Sequence, residues 1–105
     1  MKILAFSDLH RNQDAARAIV KASPAADVVI GAGDFATQAI GAAETLDILE
    51  GCAAPLVLVH GNHDIPEELV AFCATQPDAH YLHGTAITLS GQVFFGLGGE
   101  VPPRN

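Results

Sequence analysis

Leu56-Val57-Leu58-Val59-His60-Gly61-Asn62-His63-Asp64 is the stretch on which the reading of the chain turns. Four apolar residues run into a histidine and a glycine, and an amide, an imidazole and a carboxylate follow without a break. An unbroken apolar run of this length, closed by glycine, reads as a strand covered on both faces, the kind found inside a parallel α/β sheet. Its end is a loop at the carboxyl edge of the sheet, where open α/β sheets bind ligands. Three polar groups delivered there together are placed for chemistry. The plainer alternative is a polar turn in which Asn62 and Asp64 bond their own backbone and His63 is solvated.

Two other strand ends bear on that choice. Lys2-Ile3-Leu4-Ala5-Phe6-Ser7 reads as a first strand that delivers Asp8-Leu9-His10, and Asp27-Val28-Val29-Ile30-Gly31-Ala32-Gly33 as a second that delivers Asp34. All three apolar runs thus end in side chains able to hold a metal. Residues i and i+2 of an extended segment point the same way, so Asp8 and His10 are expected to grip one ion while Leu9 faces inward. Gly33 and Gly61 are expected to let the backbone approach whatever is bound.

Taken in order, Asp8-Leu9-His10, Gly33-Asp34 and Gly61-Asn62-His63-Asp64 resemble the calcineurin-like metallophosphoesterase superfamily. The G-N-H-D element carries most of the specificity. With Gly near 7% of residues and the others rarer, its chance occurrence in so short a chain is on the order of one in a thousand or less. The resemblance implies an α/β fold: a partial metallophosphoesterase-type α/β sandwich, with mostly parallel strands alternating with helices, then a C-terminal β-hairpin. It implies two divalent metal ions, Mn²⁺, Fe²⁺/Fe³⁺ or Zn²⁺, since carboxylates and imidazoles suit these cations. Asp8 and His10 would hold the first, Asp34 would bridge both, and Asn62 would hold the second. His63 would stabilise phosphoryl charge or protonate the leaving group, and Asp64 would hold the His63 ring. The activity implied is phosphoester hydrolysis, on a substrate whose identity the residues leave open.

At 105 residues the chain is one domain at most, and half of it is hydrophobic, enough for a packed core. Five basic against twelve acidic residues give a net charge of −7, which disfavours broad binding to nucleic acid or an anionic membrane. Cys52 and Cys73 lack the close pairing of a zinc motif and read as buried reduced thiols. Ser7-Asp8 interrupts the first apolar run too early for a signal peptide or membrane span, so a cytoplasmic location is expected by default.

Between the strands, Asn12 caps a helix over about Gln13–Ala22 with Ala15, Ala16, Ile19 and Val20 buried, and Ser23-Pro24 breaks it. Arg11, beside the ligands, reads as a solvated loop residue or as a contact to a phosphate oxygen. A second helix is expected from Thr37 as cap to about Glu50, with Ala39, Ile40, Ala43, Leu46 and Leu49 inward. Asp64 and Pro66 open a third helix that ends near Thr75, so Asp64 has two candidate roles: capping this helix and orienting His63. A short strand over Ala79–Gly84 follows, then a hairpin of Ala86–Leu89 and Gln92–Gly96 about a Ser90-Gly91 turn, and an irregular tail from Glu100. His60, His80 and His83 read as structural or solvated.

The family pattern goes on to a further histidine and a G-H-x-H motif, which these residues lack, so residues 1–105 read as the N-terminal portion of a single metallophosphoesterase domain. Asp8, His10, Asp34 and Asn62 alone leave two metals under-coordinated unless water or another chain fills in. Apolar sheet surface and an unpaired edge are also expected to face solvent, a place for self-association. Three readings stay open: a portion of a longer phosphoesterase, a short subunit completed by a second chain, or a non-catalytic phosphate- or nucleotide-binding remnant.

Overall fold

The computed structural model describes residues 1–38 and 40–99. Ala39, expected on a helix face, and the tail from Glu100 lie outside the described residues. Four parallel strands, β1 (Ile3–Phe6), β2 (Val28–Ala32), β3 (Leu56–Val59) and β4 (Ala79–Tyr81), form one sheet in the order β1-β2-β3-β4. Ala5 lies beside Ile30, Ile30 beside Val57, and Val57 beside His80. Helices α1 (Gln13–Ala22), α2 (Ala42–Leu49) and α3 (Pro66–Ala74) connect them. A separate antiparallel hairpin, β5 (Thr85–Leu89) and β6 (Gln92–Gly96), follows β4.

Strand alternation sorts the apolar run of β3 onto two faces. Leu56 and Leu58 join the core made with α1, α2 and α3, where Ala16, Leu46, Leu49, Leu69 and Phe72 are buried. Val57 and Val59 turn to the opposite face and pack with Val28, Ile30 and Leu82 against Ile87, Leu89 and Phe94 of the hairpin. A strand between two layers needs apolar residues at every position, which is why β3 reads as an unbroken run. Strand β1 is an edge strand: Leu4 and Phe6 pack toward the helices while Ile3 is 50% exposed. The hairpin's turn has Ser90 at φ 49° and Gly91 at φ 77°, the paired left-handed backbones of the tight turn that best matches strand twist. Its outward face carries Val93, Phe95 and Leu97, exposed by 71%, 67% and 63%.

The first helix follows its expected bounds, and the Asn12 side chain accepts a hydrogen bond from the Ala15 N–H at 3.0 Å. The second departs from expectation. It begins at Ala42, because Gln38 at φ 49° and Gly41 at φ 88° cannot continue a helix. Thr37 and Ile40 instead exchange two main-chain hydrogen bonds of 3.0 Å, and Ile40 is exposed rather than in the core. Ala42 and Thr45, not Ala43, join Leu46 and Leu49 on the buried face.

Cys52 and Cys73 are free and half-buried, and burial pushes the Cys73 thiol up to about 11. No helix of the described residues is long and apolar enough to cross a membrane.

Candidate metal centre

Because β1 stops at Phe6, Asp8 and His10 do not lie on an extended segment as expected. Asp8, His10 and Arg11 take φ values of 58°, 45° and 57°, and Asp34 in the next loop takes 57°. Such left-handed backbones are costly for residues with side chains and persist where the surroundings fix them. Here the neighbouring loop does so. Asp8 N–H donates to the Gly33 carbonyl at 3.1 Å, His10 N–H to Asp34 at 2.9 Å and Arg11 N–H to Phe35 at 2.8 Å. Leu9 points inward and is buried, so its two neighbours are left on the outside.

This wound loop brings one ligand atom each from Asp8, His10 and Asp34 within 4.8 Å of one another. The His10 Nδ1–H donates to the Ala36 carbonyl at 3.3 Å, which turns Nε2 toward Asp8 Oδ1, 3.4 Å away. A backbone carbonyl on the far ring nitrogen is the usual way a ligand histidine is oriented. Nε2 then faces carboxylate oxygens across the same space, where either a metal cation or a proton on the ring can sit between them. The Ser7 hydroxyl, donating to Asp8 Oδ2 at 2.8 Å, holds the Asp8 carboxyl below its ordinary value, with Asp34 and His10 adding to the effect. Anionic oxygen with imidazole nitrogen is a donor set that suits divalent Mn, Fe or Zn, so the residues fit the metal that the sequence implies.

The loop after β3 meets this group from the side. Asp34 Oδ1 accepts the His63 N–H at 3.0 Å, which leaves the other carboxylate oxygen uncommitted to that bond. Asp64 does neither of the jobs expected of it. The residue at the start of α3 is Ile65, with no side-chain cap, and Asp64 accepts from three main-chain N–H groups: Asp34 at 2.8 Å, Ala36 at 2.9 Å and Gly61 at 2.9 Å. The His63 ring is held by a different group, since its Nδ1 accepts the Gln38 N–H at 3.1 Å. His63 and His10 meet edge to face with ring centroids 4.9 Å apart. Asn62 stands exposed between Gly61 and His63 in the same loop.

Gly33 and Gly61 are required where two loops meet. A Cβ on Gly33 would meet the Gly61 backbone at 2.8 Å, and one on Gly61 would run into the Asp34 carboxylate. The two glycines let the loops close on each other. Gln38 and Ala36 are the contributors that sequence reading missed. Both act through main-chain groups, which every residue type carries, so no side-chain pattern marks them.

The remaining histidines group elsewhere. His60 Nδ1 lies 2.7 Å from the Tyr81 hydroxyl, and its ring centroid is 4.8 Å from that of His83. His83 Nδ1 accepts the Gly98 N–H at 3.1 Å, and His80 lies in β4 opposite Val57. Burial, with His83 nearby, lowers the His60 pKa. His60, whose carbonyl accepts the Gly99 N–H, and His83 tie the hairpin's exit to the sheet.

A parallel sheet whose strand ends bring two carboxylates and an imidazole together defines an α/β protein with a candidate cation site at its carboxyl edge. The chain belongs to the calcineurin-like phosphoesterase superfamily, whose domain model matches residues 1–97. Its fold is similar to that of TT1561 of Thermus thermophilus, with a TM-score of 0.84 and 26% sequence identity over 94% of this chain. The match spans 49% of TT1561, about half of its length. Among curated proteins no match is found.

Proposed function

We propose that the chain carries the first half of a two-metal phosphoester hydrolase centre, with Asp8 and His10 on one divalent cation, Asp34 shared, and Asn62 on the other. The observation that supports this most directly is the convergence of Asp8, His10 and Asp34 within 4.8 Å at the carboxyl ends of parallel strands. When bound, such cations act as Lewis acids toward phosphoryl oxygens and fix their orientation. The protein's own groups do the rest. With Nδ1 accepting from Gln38, the neutral His63 ring carries its proton on Nε2, free to donate to a phosphoryl or leaving oxygen. Asp64 works one step back, by fixing the loops that present Asp34 and His63. Substrates are phosphomonoesters or phosphodiesters.

The test is titration of the chain with Mn²⁺ by calorimetry, alongside hydrolysis of bis(p-nitrophenyl) phosphate. Asp34→Asn should remove metal binding while the circular dichroism spectrum stays native. His63→Ala should keep the metal and lose rate by about 10²–10⁴-fold, the usual worth of a general acid. A folded wild-type chain whose Mn²⁺ affinity Asp34→Asn leaves unchanged would overturn this ligand assignment.

A further inference from the structure

Beside the candidate metal centre lies a cavity of about 340 Å³ lined by Arg11, Gln13, Ile40, Gly41 and Glu44. None of the proposed metal ligands lines it, yet Arg11 directly follows His10 in the wound loop. The Arg11 backbone is anchored by its N–H to the Phe35 carbonyl at 2.8 Å. Its side-chain stem lies flat on Gly41, where an added Cβ would collide with Arg11 Cβ, Cγ and Cδ. Arg11 is exposed, but with its backbone fixed and its stem supported it has less freedom to lose on binding than an unsupported side chain.

The distribution of cations gives this side chain its meaning. Only five occur in the chain. Lys2 precedes β1 and Lys21 sits in the last turn of α1, both at the amino ends of the strands. Arg17 is engaged by Asp14 at 2.8 Å, and Arg104 lies outside the described residues. Among the described residues, Arg11 is the cation at the carboxyl ends of the strands that forms no ion pair. Among the described residues, Arg11 is therefore the unpaired fixed positive charge that an anionic ligand meets at this edge. Glu44 also lines the cavity and disfavours an anion on its own side, and exposed Ile40 offers apolar surface for the ligand's carbon frame.

We infer that Arg11 determines specificity by binding a second anionic group of the ligand, carried a few atoms from the phosphoryl group that the metal centre holds. This rests on the metal-dependent reading above and narrows its substrates to phosphoesters bearing a further phosphate or carboxylate. Guanidinium reaches such a group through paired charge-assisted hydrogen bonds, whereas the metal centre takes the first.

The experiment compares two non-hydrolysable probes, propylphosphonate and 3-phosphonopropionate, which differ by one carboxylate, on Mn²⁺-loaded chain by calorimetry. Wild type should bind 3-phosphonopropionate about tenfold tighter, the size of one charge-assisted contact. Arg11→Gln should bring the two probes to near parity with propylphosphonate affinity unchanged, and Arg11→Lys should keep part of the preference. Equal weakening of both probes in Arg11→Gln would place the guanidinium on the phosphonate itself and overturn the inference, as would an unchanged ratio. Failure of a folded, Mn²⁺-loaded wild type to bind either probe would sink the metal-centre reading as well, which separates the two failures.

Discussion

Residues 8–11 leave β1 through left-handed backbones at Asp8, His10 and Arg11 and hang from residues 33–35 by main-chain hydrogen bonds. Residues 61–64 leave β3 without a non-glycine residue in that region and are fastened chiefly by the Asp64 carboxylate, which binds N–H groups of both its own loop and the 34–36 segment, with Asp34 accepting the His63 N–H in return. The first loop carries ligands and strain; the second carries the clasp. Since the 33–36 segment supports the first loop and is itself held by Asp64, the strained ligand geometry depends on a residue that touches no ligand position directly except through the Asp34 N–H. The comparison teaches that the ligands Asp8, His10 and Asp34 are positioned from a strand end other than their own, by Asp64.

Removing the clasp is the strongest way to break this picture. Asp64→Ala leaves three main-chain donors without their charged acceptor, at about 1–3 kcal/mol for each group left unsatisfied and partly recoverable by water. A loss of about 2–5 kcal/mol in urea unfolding is expected, together with loss of Mn²⁺ affinity. A loss under about 1 kcal/mol would show that the loops hold together without it. Gly61→Ala is the milder challenge, since its Cβ would force the Asp34 carboxylate aside. About 1–3 kcal/mol of destabilisation is expected, as for other overpacked sites, with Mn²⁺ binding weakened alongside. Unchanged metal affinity would mean that Asp34 can move without cost to the centre.

The smallest effect tests the ligand loop through pH. The Asp8 carboxyl is held below its ordinary value, first by the Ser7 hydroxyl, so the folded state binds its proton less readily than the unfolded chain does. The stabilising contribution is therefore present above about pH 4, the ordinary carboxylate value, and fades as pH falls through the depressed folded value. In metal-free buffer, Asp8→Asn should flatten this part of the acid limb of a stability-versus-pH curve. An acid limb identical to wild type would show that Ser7 does not favour the ionised form.

Much of this fold is legible in the residues. The unbroken apolar run of β3 announces a strand between two layers, Asn12 announces the start of α1, and Ser90-Gly91 announces the hairpin turn, because each is a local preference that the tertiary fold leaves in place. The start of α2 was not legible. Thr37 and Gln38 look like a helix entry, yet the Gln38 N–H is drawn to His63, twenty-five positions away. The same applies to Asp64, where proximity to Pro66 suggests a helix cap and the actual partners include Asp34 and Ala36.

By itself, then, the sequence determined which side chains arrive at the carboxyl edge of the sheet: Asp8, His10, Asp34, Asn62, His63 and Asp64 each follow an apolar strand, and strand formation depends on nearby residues. Only the tertiary structure decided how they are held. Left-handed backbones at Asp8, His10 and Asp34, the Ala36 carbonyl on His10, the Gln38 N–H on His63 and the Asp64 clasp all join loops about 25–30 residues apart through main-chain groups. Main-chain donors and acceptors are the same at every position, so their pairing is written in the packing of the sheet and not in residue identity.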